Sequence, residues 1–286
     1  MTQNVTLLII DPQNDFCKPP VMKFDPSVGK EIPTGGGALY VPGSEVDIAK
    51  LTGFISREKD NIDNIVVTLD THNQVDIAHP IWWSDEEGNH PDPFTIITLD
   101  DIMIEEKWKT TIPQFEEASI SYVKALEENG KYPLCIWPPH CLEGTEGHAL
   151  PEILNNSLRE WEKRFAKVNF VRKGMNMWTE HYSAIKAEIP DPTDPRTKVN
   201  RVLVDDLKHN SDLIIVAGEA STHCVANTLR DLIAEFNDPV KNTRIVYLKD
   251  CCSPVPGFEE LEVEFLEELD HAGVQITDSI KISNLF

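Results

Sequence analysis

The sequence predicts an α/β fold: a three-layer sandwich with a mostly parallel, doubly wound, Rossmann-like sheet and helices on both faces. Two observations carry this. Short apolar runs recur along the chain and end in a polar or small residue, as strands buried on both faces do. Helical patterns lie between them, and strands that alternate with helices imply this layered architecture.

In chain order, VTLLIID at 5–11 is the first strand. A Pro- and Gly-rich stretch, 18–43, interrupts the alternation. SEVDIAKLTGFISREKD then starts on a capping signal at Ser44 and repeats apolar residues at Ile48, Leu51 and Ile55, a helical stripe. NIVVTLD at 64–70 is the second strand. Residues 80–135, with tryptophans and acids, form a second interruption that contains a helix over 113–129. AKVNFVRK at 166–173 is the third strand, and 186–210, with PDPTDP, the third interruption. DLIIVAG at 212–218 follows, then a helical stripe through Val225, Thr228, Leu229, Leu232, Ile233 and Phe236. TRIVYLKD at 243–250 and GVQITD at 273–278 complete six strands. The expected organisation is one domain over 1–286 with insertions near 18–43, 80–135 and 186–210.

Composition narrows the classes of function. A formal net charge of -22 would repel nucleic acid and anionic membrane, so neither is expected as a partner. Acidic stretches such as FEELEVEFLEELD at 258–270 read as solvated helix faces. VTLLII is too short to span a bilayer and no basic leader precedes a long apolar core, which points to the cytoplasm. The six cysteines form no CxxC pair, which fits a reducing compartment. GGG at 35–37 neither follows a strand nor precedes a Lys-Ser/Thr pair, so no phosphate loop is present.

Ligands of doubly wound sheets bind beyond the carboxyl ends of the strands. Asp11, Asp70, Lys173 and the Gly218 turn each end a predicted strand. Cys224 follows that turn at the start of a helix, where the dipole and nearby cations would lower a thiol pKa; it is a candidate nucleophile or a small core residue. His223 is a poor base for it, because consecutive helical residues point about 100° apart. Asp11 as base and Lys173 as the cation beside a thiolate are the available pair. Asp70 and His72, two apart on an extended strand, share a face and suit two ligands of one metal. His140, in a loop fixed by prolines, is a third, and His79 either a fourth ligand or a donor to bound solvent. One carboxylate with two imidazoles suits zinc, iron or manganese; the alternative is a set of polar loop residues.

Taken together, IIDPQNDF (9–16), LDTH (69–72), IWPPHCLEGTEG (136–147), VRKGMNMWTEHYSA (171–184) and GEASTHCV (218–225) resemble the isochorismatase-like cysteine hydrolases, and within them the nicotinamidase/pyrazinamidase branch. The resemblance covers nearly the whole chain, in order, apart from the insertions. It implies Asp11, Lys173 and Cys224 as catalytic residues, and backbone N–H groups of Ala220 and Cys224 as an oxyanion hole with a cis peptide before Ala220. It implies a divalent metal, zinc first, on Asp70, His72 and His140, and a ring pocket of Phe16, Trp137 and Tyr182. The implied activity is hydrolysis of a small carboxamide, nicotinamide first, in NAD salvage, by a chain that forms homo-oligomers. A related amidase on another carboxamide, or a binding protein with a vestigial site, are the alternatives.

Overall fold

The computed structural model describes residues 3–236 and 243–282; the remainder of the 1–286 span expected as one domain lies outside the described residues. All six apolar runs form strands: β1 (Val5–Ile10), β2 (Asn64–Asp70), β3 (Asn169–Lys173), β4 (Leu213–Gly218), β5 (Arg244–Leu248) and β6 (Gln275–Thr277). They make one parallel sheet in the order β6-β5-β4-β1-β2-β3. The chain builds outward from β1 to β3, then returns to the other side of β1 and builds outward again. The winding direction therefore reverses between β1 and β4, where a crevice opens past the carboxyl ends.

Register sets what meets in that crevice. Ile10 lies level with Gly218, and Asp70 level with Lys173, so residues just past these strands share one rim. β1 and β4 are buried along their full length, as apolar strands covered on both faces must be. β3 is the edge, and it carries exposed Asn169 and Arg172. Gly218 is required where β4 ends: its φ is +137°, and a Cβ there would stand 2.1 Å from the Ile10 carbonyl oxygen.

The longer helices are α1 (Ser44–Glu58), α2 (Glu116–Glu128), α3 (Glu152–Glu162), α4 (Arg201–Asn210), α5 (Ala226–Glu235) and α6 (Glu260–His271). Ile48, Leu51 and Ile55 are buried on α1, as their spacing predicts. The cap differs from expectation. Gly43, in the left-handed region, holds the N-cap position, and the Ser44 hydroxyl instead donates to the Phe16 carbonyl, tying the helix to the turn after β1. The helix expected over 113–129 is a 3-10 turn, Pro113–Phe115, continued by α2.

The interruptions resolve in three ways. Residues 18–43 carry an exposed hairpin, Met22–Asp25 against Lys30–Pro33. Residues 80–135 are structured, with α2, the Thr98-capped helix Leu99–Met103, and buried Trp82, Trp83, Val123 and Leu126 joined to the main core. The third is shorter than its expected 186–210 span, because 201–210 is α4, the crossover helix between β3 and β4, capped by the Asn200 side chain. Only Leu203, Val204 and Leu207 of α4 are buried, so its apolar stripe is narrow and is easily lost beside PDPTDP.

Candidate functional site

Immediately after β1 the chain turns at Asp11, which has a φ of 47° that few non-glycine residues adopt. Ala220 (φ 58°) and Cys141 (φ 47°) share this strained conformation, and all three border the same crevice. Asp11 is held in place by Thr68 of β2, whose hydroxyl accepts the Asp11 N–H at 3.0 Å and donates to its carboxylate at 2.5 Å.

Lys173, at the end of β3, extends its ammonium into the middle of the rim. It stands 2.9 Å from Asp11 Oδ2, 3.0 Å from Asp70 Oδ1 and 3.7 Å from Cys224 Sγ, and donates to the His181 carbonyl at 2.9 Å. Burial works to lower the lysine pKa, but the Asp11 and Asp70 carboxylates outweigh it and hold the group charged, well above the ordinary range. Burial raises the Asp11 pKa and Lys173 pulls it back, so the carboxyl ends somewhat more basic than usual.

Cys224 is buried and lies in a π-helical turn, Ser221–Val225, that leads into α5. Its environment corrects the expectation of a lowered pKa. Burial raises the thiol well above its ordinary value, Lys173 opposes this, and the Asp11 and Asp70 charges add to it. The resting group is a thiol that contacts Asp11, not a preformed thiolate. The turn before it also differs from expectation: no cis peptide occurs among the described residues, and the bend is made by two positive-φ residues, Gly218 (φ 137°) and Ala220 (φ 58°). The fold uses the Glu219 N–H (to Ile10 O) and the Ser221 N–H (to Ser253 O), while no protein acceptor takes the Ala220 N–H among the described residues.

Beside the lysine lies a second cluster. One ligand atom each from Asp70, His72 and His140 converge within 4.8 Å of one another. His72 Nε2 is 3.2 Å and His140 Nε2 3.4 Å from Asp70 Oδ2. The opposite nitrogens are engaged elsewhere, His72 Nδ1 with Asp76 Oδ2 at 3.1 Å and His140 Nδ1 with the Pro138 carbonyl at 2.9 Å. That is how metal-binding imidazoles are oriented: the outer nitrogen holds its proton for an acceptor and leaves the inner lone pair free. His79 sits outside the converging set, with its ring 5.3 Å from His72 and 5.9 Å from His140. Its Nδ1 meets the Gln74 carbonyl, its buried Nε2 has no partner among the described residues, and burial pushes its pKa down to about 4.

Phe16, Trp137 and Tyr182 all line the cavity above Cys224, and Trp137 Nε1 donates to the Tyr182 hydroxyl at 3.1 Å. A larger cleft of about 840 Å³ runs between β3 and α4 and contains none of the convergent groups.

Four residues of the site were not singled out from sequence. Gln13 donates to the Asp70 carbonyl (2.8 Å) and accepts the Asp70 N–H (2.7 Å), clamping the backbone at the shared carboxylate. Asp15 accepts the Cys141 N–H at 2.7 Å and the Ala38 N–H at 2.9 Å, holding two loops at the cavity rim; a Cβ at Gly147 would stand 2.0 Å from its carboxylate. Asp76 orients His72. Glu180 lines the cavity with one carboxylate oxygen unpartnered among the described residues, and burial pushes its pKa up to about 7. Gln13 and Asp15 lie within IIDPQNDF and Glu180 within VRKGMNMWTEHYSA, which was the available signal; Asp76 had only proximity to LDTH.

No protein-family model and no curated relative matches the chain. Solved structures do. The Acinetobacter baumanii nicotinamidase/pyrazinamidase aligns at 21% identity over 98% of each chain, with a TM-score of 0.62. The yeast nicotinamidase bound to the inhibitor nicotinaldehyde aligns at 20% identity over 96% of this chain and 99% of that one, TM-score 0.62. The Pyrococcus horikoshii pyrazinamidase in complex with zinc aligns at 19% identity over 96% and 99%, TM-score 0.51. At these identities the likeness establishes a shared fold over nearly the whole chain.

Proposed function

We propose that this chain is a metal-dependent cysteine amidohydrolase, acting as a nicotinamidase that converts nicotinamide to nicotinate and ammonia through a thioester. One observation carries the reading: a single buried ammonium, Lys173, touches the Asp11 carboxylate and the Cys224 sulfur at the sheet's crossing point. The nicotinamidase and pyrazinamidase structures of the same fold support the substrate class.

In this mechanism Asp11 removes the thiol proton as Cys224 Sγ attacks the carboxamide carbon. The raised Asp11 pKa makes the carboxylate a stronger base, and Lys173 attracts the negative charge that appears on sulfur. Because the resting thiol is neutral, deprotonation and attack belong to one event. The oxyanion lies against the backbone N–H groups of Ala220 and Cys224; a donor of this kind contributes about 3 kcal/mol. Asp11 passes its proton to the departing ammonia, then removes one from the water that hydrolyses the thioester.

The cluster of Asp70, His72 and His140 fits a divalent metal, since each imidazole presents an inner nitrogen while its outer one is engaged. The unpartnered Nε2 of His79 makes that residue the candidate fourth ligand. Nitrogen and oxygen donors of this kind suit zinc first, and also iron or manganese. When bound, such an ion supplies Lewis-acid attraction for a pyridine-type ring nitrogen. Phe16 and Trp137 flank that ring, with Tyr182 completing the wall.

We place the enzyme in cytoplasmic NAD salvage, as a single hydrolase domain in a homo-oligomer; no helix among the described residues is long and apolar enough to cross a membrane. A related cysteine amidase on a different carboxamide is the second reading, favoured by Glu180, a titratable carboxyl in the cavity wall. The test is ammonia release from nicotinamide and from other carboxamides, with metal content determined on the same sample. Cys224→Ala is expected to keep fold and metal and lose turnover. Substantial remaining turnover would refute the covalent route, and metal-free protein with full activity would refute the metal.

A further inference from the structure

We propose that His223 sets the size of substrate this site accepts, because its ring is the panel between the catalytic cavity and a second, larger pocket. The inference rests on the amidase reading and adds a specificity-determining residue to it.

The catalytic cavity has a free volume of about 20 Å³, room for roughly one water. On its far side is a pocket of about 390 Å³, walled by Ile96, Tyr132, Cys135 and Phe258. His223 and Tyr182 line both spaces. Tyr182 is anchored through its hydroxyl to Trp137. His223 stands among four aromatic rings: Phe258 at 4.8 Å, Tyr132 and Tyr182 at 5.2 Å each, and Trp137 at 5.3 Å. Its Nδ1 is paired with the Thr222 hydroxyl at 3.0 Å. Burial, then Arg230, pushes the imidazole pKa down to about 3, so the ring is neutral and packs as an aromatic panel.

The placement follows from the chain. His223 and Cys224 are consecutive in a helical turn and point different ways, the thiol toward Asp11 and Lys173, the imidazole into the aromatic box. The panel therefore stands one residue from the attacking sulfur, where the ring of a bound carboxamide ends. Phe258 braces it from outside, on a segment whose Gly257 takes a φ of 83° between Pro256 and the ring. Past the panel the walls are aromatic and apolar; the charged lining groups are the carboxylates of Glu259 and Glu260, and the Arg230 guanidinium behind Tyr132 is paired with Glu268. A group entering there must be flat and either neutral or cationic; an anion would be repelled. With His223 in place the catalytic space ends at its ring, and without it the two spaces join and admit a carboxamide bearing an aryl extension.

The experiment compares kcat/KM for ammonia release from nicotinamide, from nicotinamide with a neutral aryl substituent, and from the same compound with a carboxylate on the aryl group. In His223→Ala the ratio should move toward the neutral aryl compound by about tenfold or more, a typical gain when a pocket wall is removed. Phe258→Ala should move it the same way by less, and the carboxylate compound should gain least. Unchanged ratios in folded, metal-loaded variants would overturn the inference; if His223→Ala does not fold, Phe258→Ala decides. If the wild type releases ammonia from none of the three, the amidase reading fails. Calorimetric binding of the same compounds to wild type and variants then tests the panel by itself, and unchanged relative affinities would overturn it.

Discussion

Two buried acidic neighbourhoods meet at the turn after β4, and they differ in one respect. Toward the cavity, Asp11 and Asp70 share the Lys173 ammonium at 2.9 and 3.0 Å. Toward α1, Glu219 is fully buried with neither carboxylate oxygen partnered among the described residues, and Asp47 is tied to the Ser253 hydroxyl. Burial raises every one of these carboxyl pKa values. With His72 and Lys173 beside it, Asp70 still falls well below its ordinary value. Without an ion pair, Glu219 goes well above its own and Asp47 rises to about 6. How far a buried carboxyl departs from its ordinary value is set by burial against the opposite charges that reach it: Asp11, with Lys173 alone beside it, still ends above its ordinary value, and Asp70, with His72 as well, ends below.

The comparison can be broken most forcefully at the cation. Lys173→Met leaves Asp11 and Asp70 buried without their ammonium, so a stability loss of about 3–5 kcal/mol is expected in urea unfolding, with no ammonia release. A variant as stable as wild type would show that the lysine does not hold the carboxylates charged.

A smaller effect isolates the metal cluster. Asp76→Asn keeps the shape beside His72 but weakens the acceptor that orients its ring, so metal affinity is expected to fall about 10- to 100-fold in chelator competition, with unfolding little changed. Undiminished affinity would remove Asp76 from the site.

The smallest effect sharpens the other side. A carboxyl with a folded pKa above its unfolded value favours the folded state only while protonated, so stability is lost as pH rises through the folded value. Glu219 and Asp47 should therefore destabilise the wild type as pH climbs from about 4 through 6 and beyond. Glu219→Gln removes one of those titrations, and its stability relative to wild type should increase with pH in denaturant midpoints. A constant difference would mean that Glu219 titrates alike in the folded and unfolded chain, and that burial does not shift it.

The contrast also shows what could be read from residues alone. Each of the six strands lies within its apolar run; β1 and β4, covered on both faces, are apolar along their length, while the edge strands β3 and β6 carry exposed residues. Asp70 and His72 were readable as a pair, because spacing within one strand fixes a shared face. Gln13 and Asp76 were not, since a glutamine that clamps a distant backbone looks like any polar residue until the partner strand is placed beside it. Ser44 failed as a cap because Gly43 took the position and the Phe16 carbonyl took the hydroxyl. Residues 201–210 were lost in an insertion because too few of them are buried to mark a helix.

Sequence by itself determined the layered α/β fold, the strand ends that carry Asp11, Asp70 and Lys173, and the candidate thiol at Cys224, because these depend on local pattern and on order along the chain. Only the tertiary structure decided that Lys173 serves both carboxylates, that the Cys224 thiol rests neutral, and that His223 walls the cavity. Charge state and pocket shape depend on which groups are brought together out of water, and that is set by strands and loops far apart in the chain.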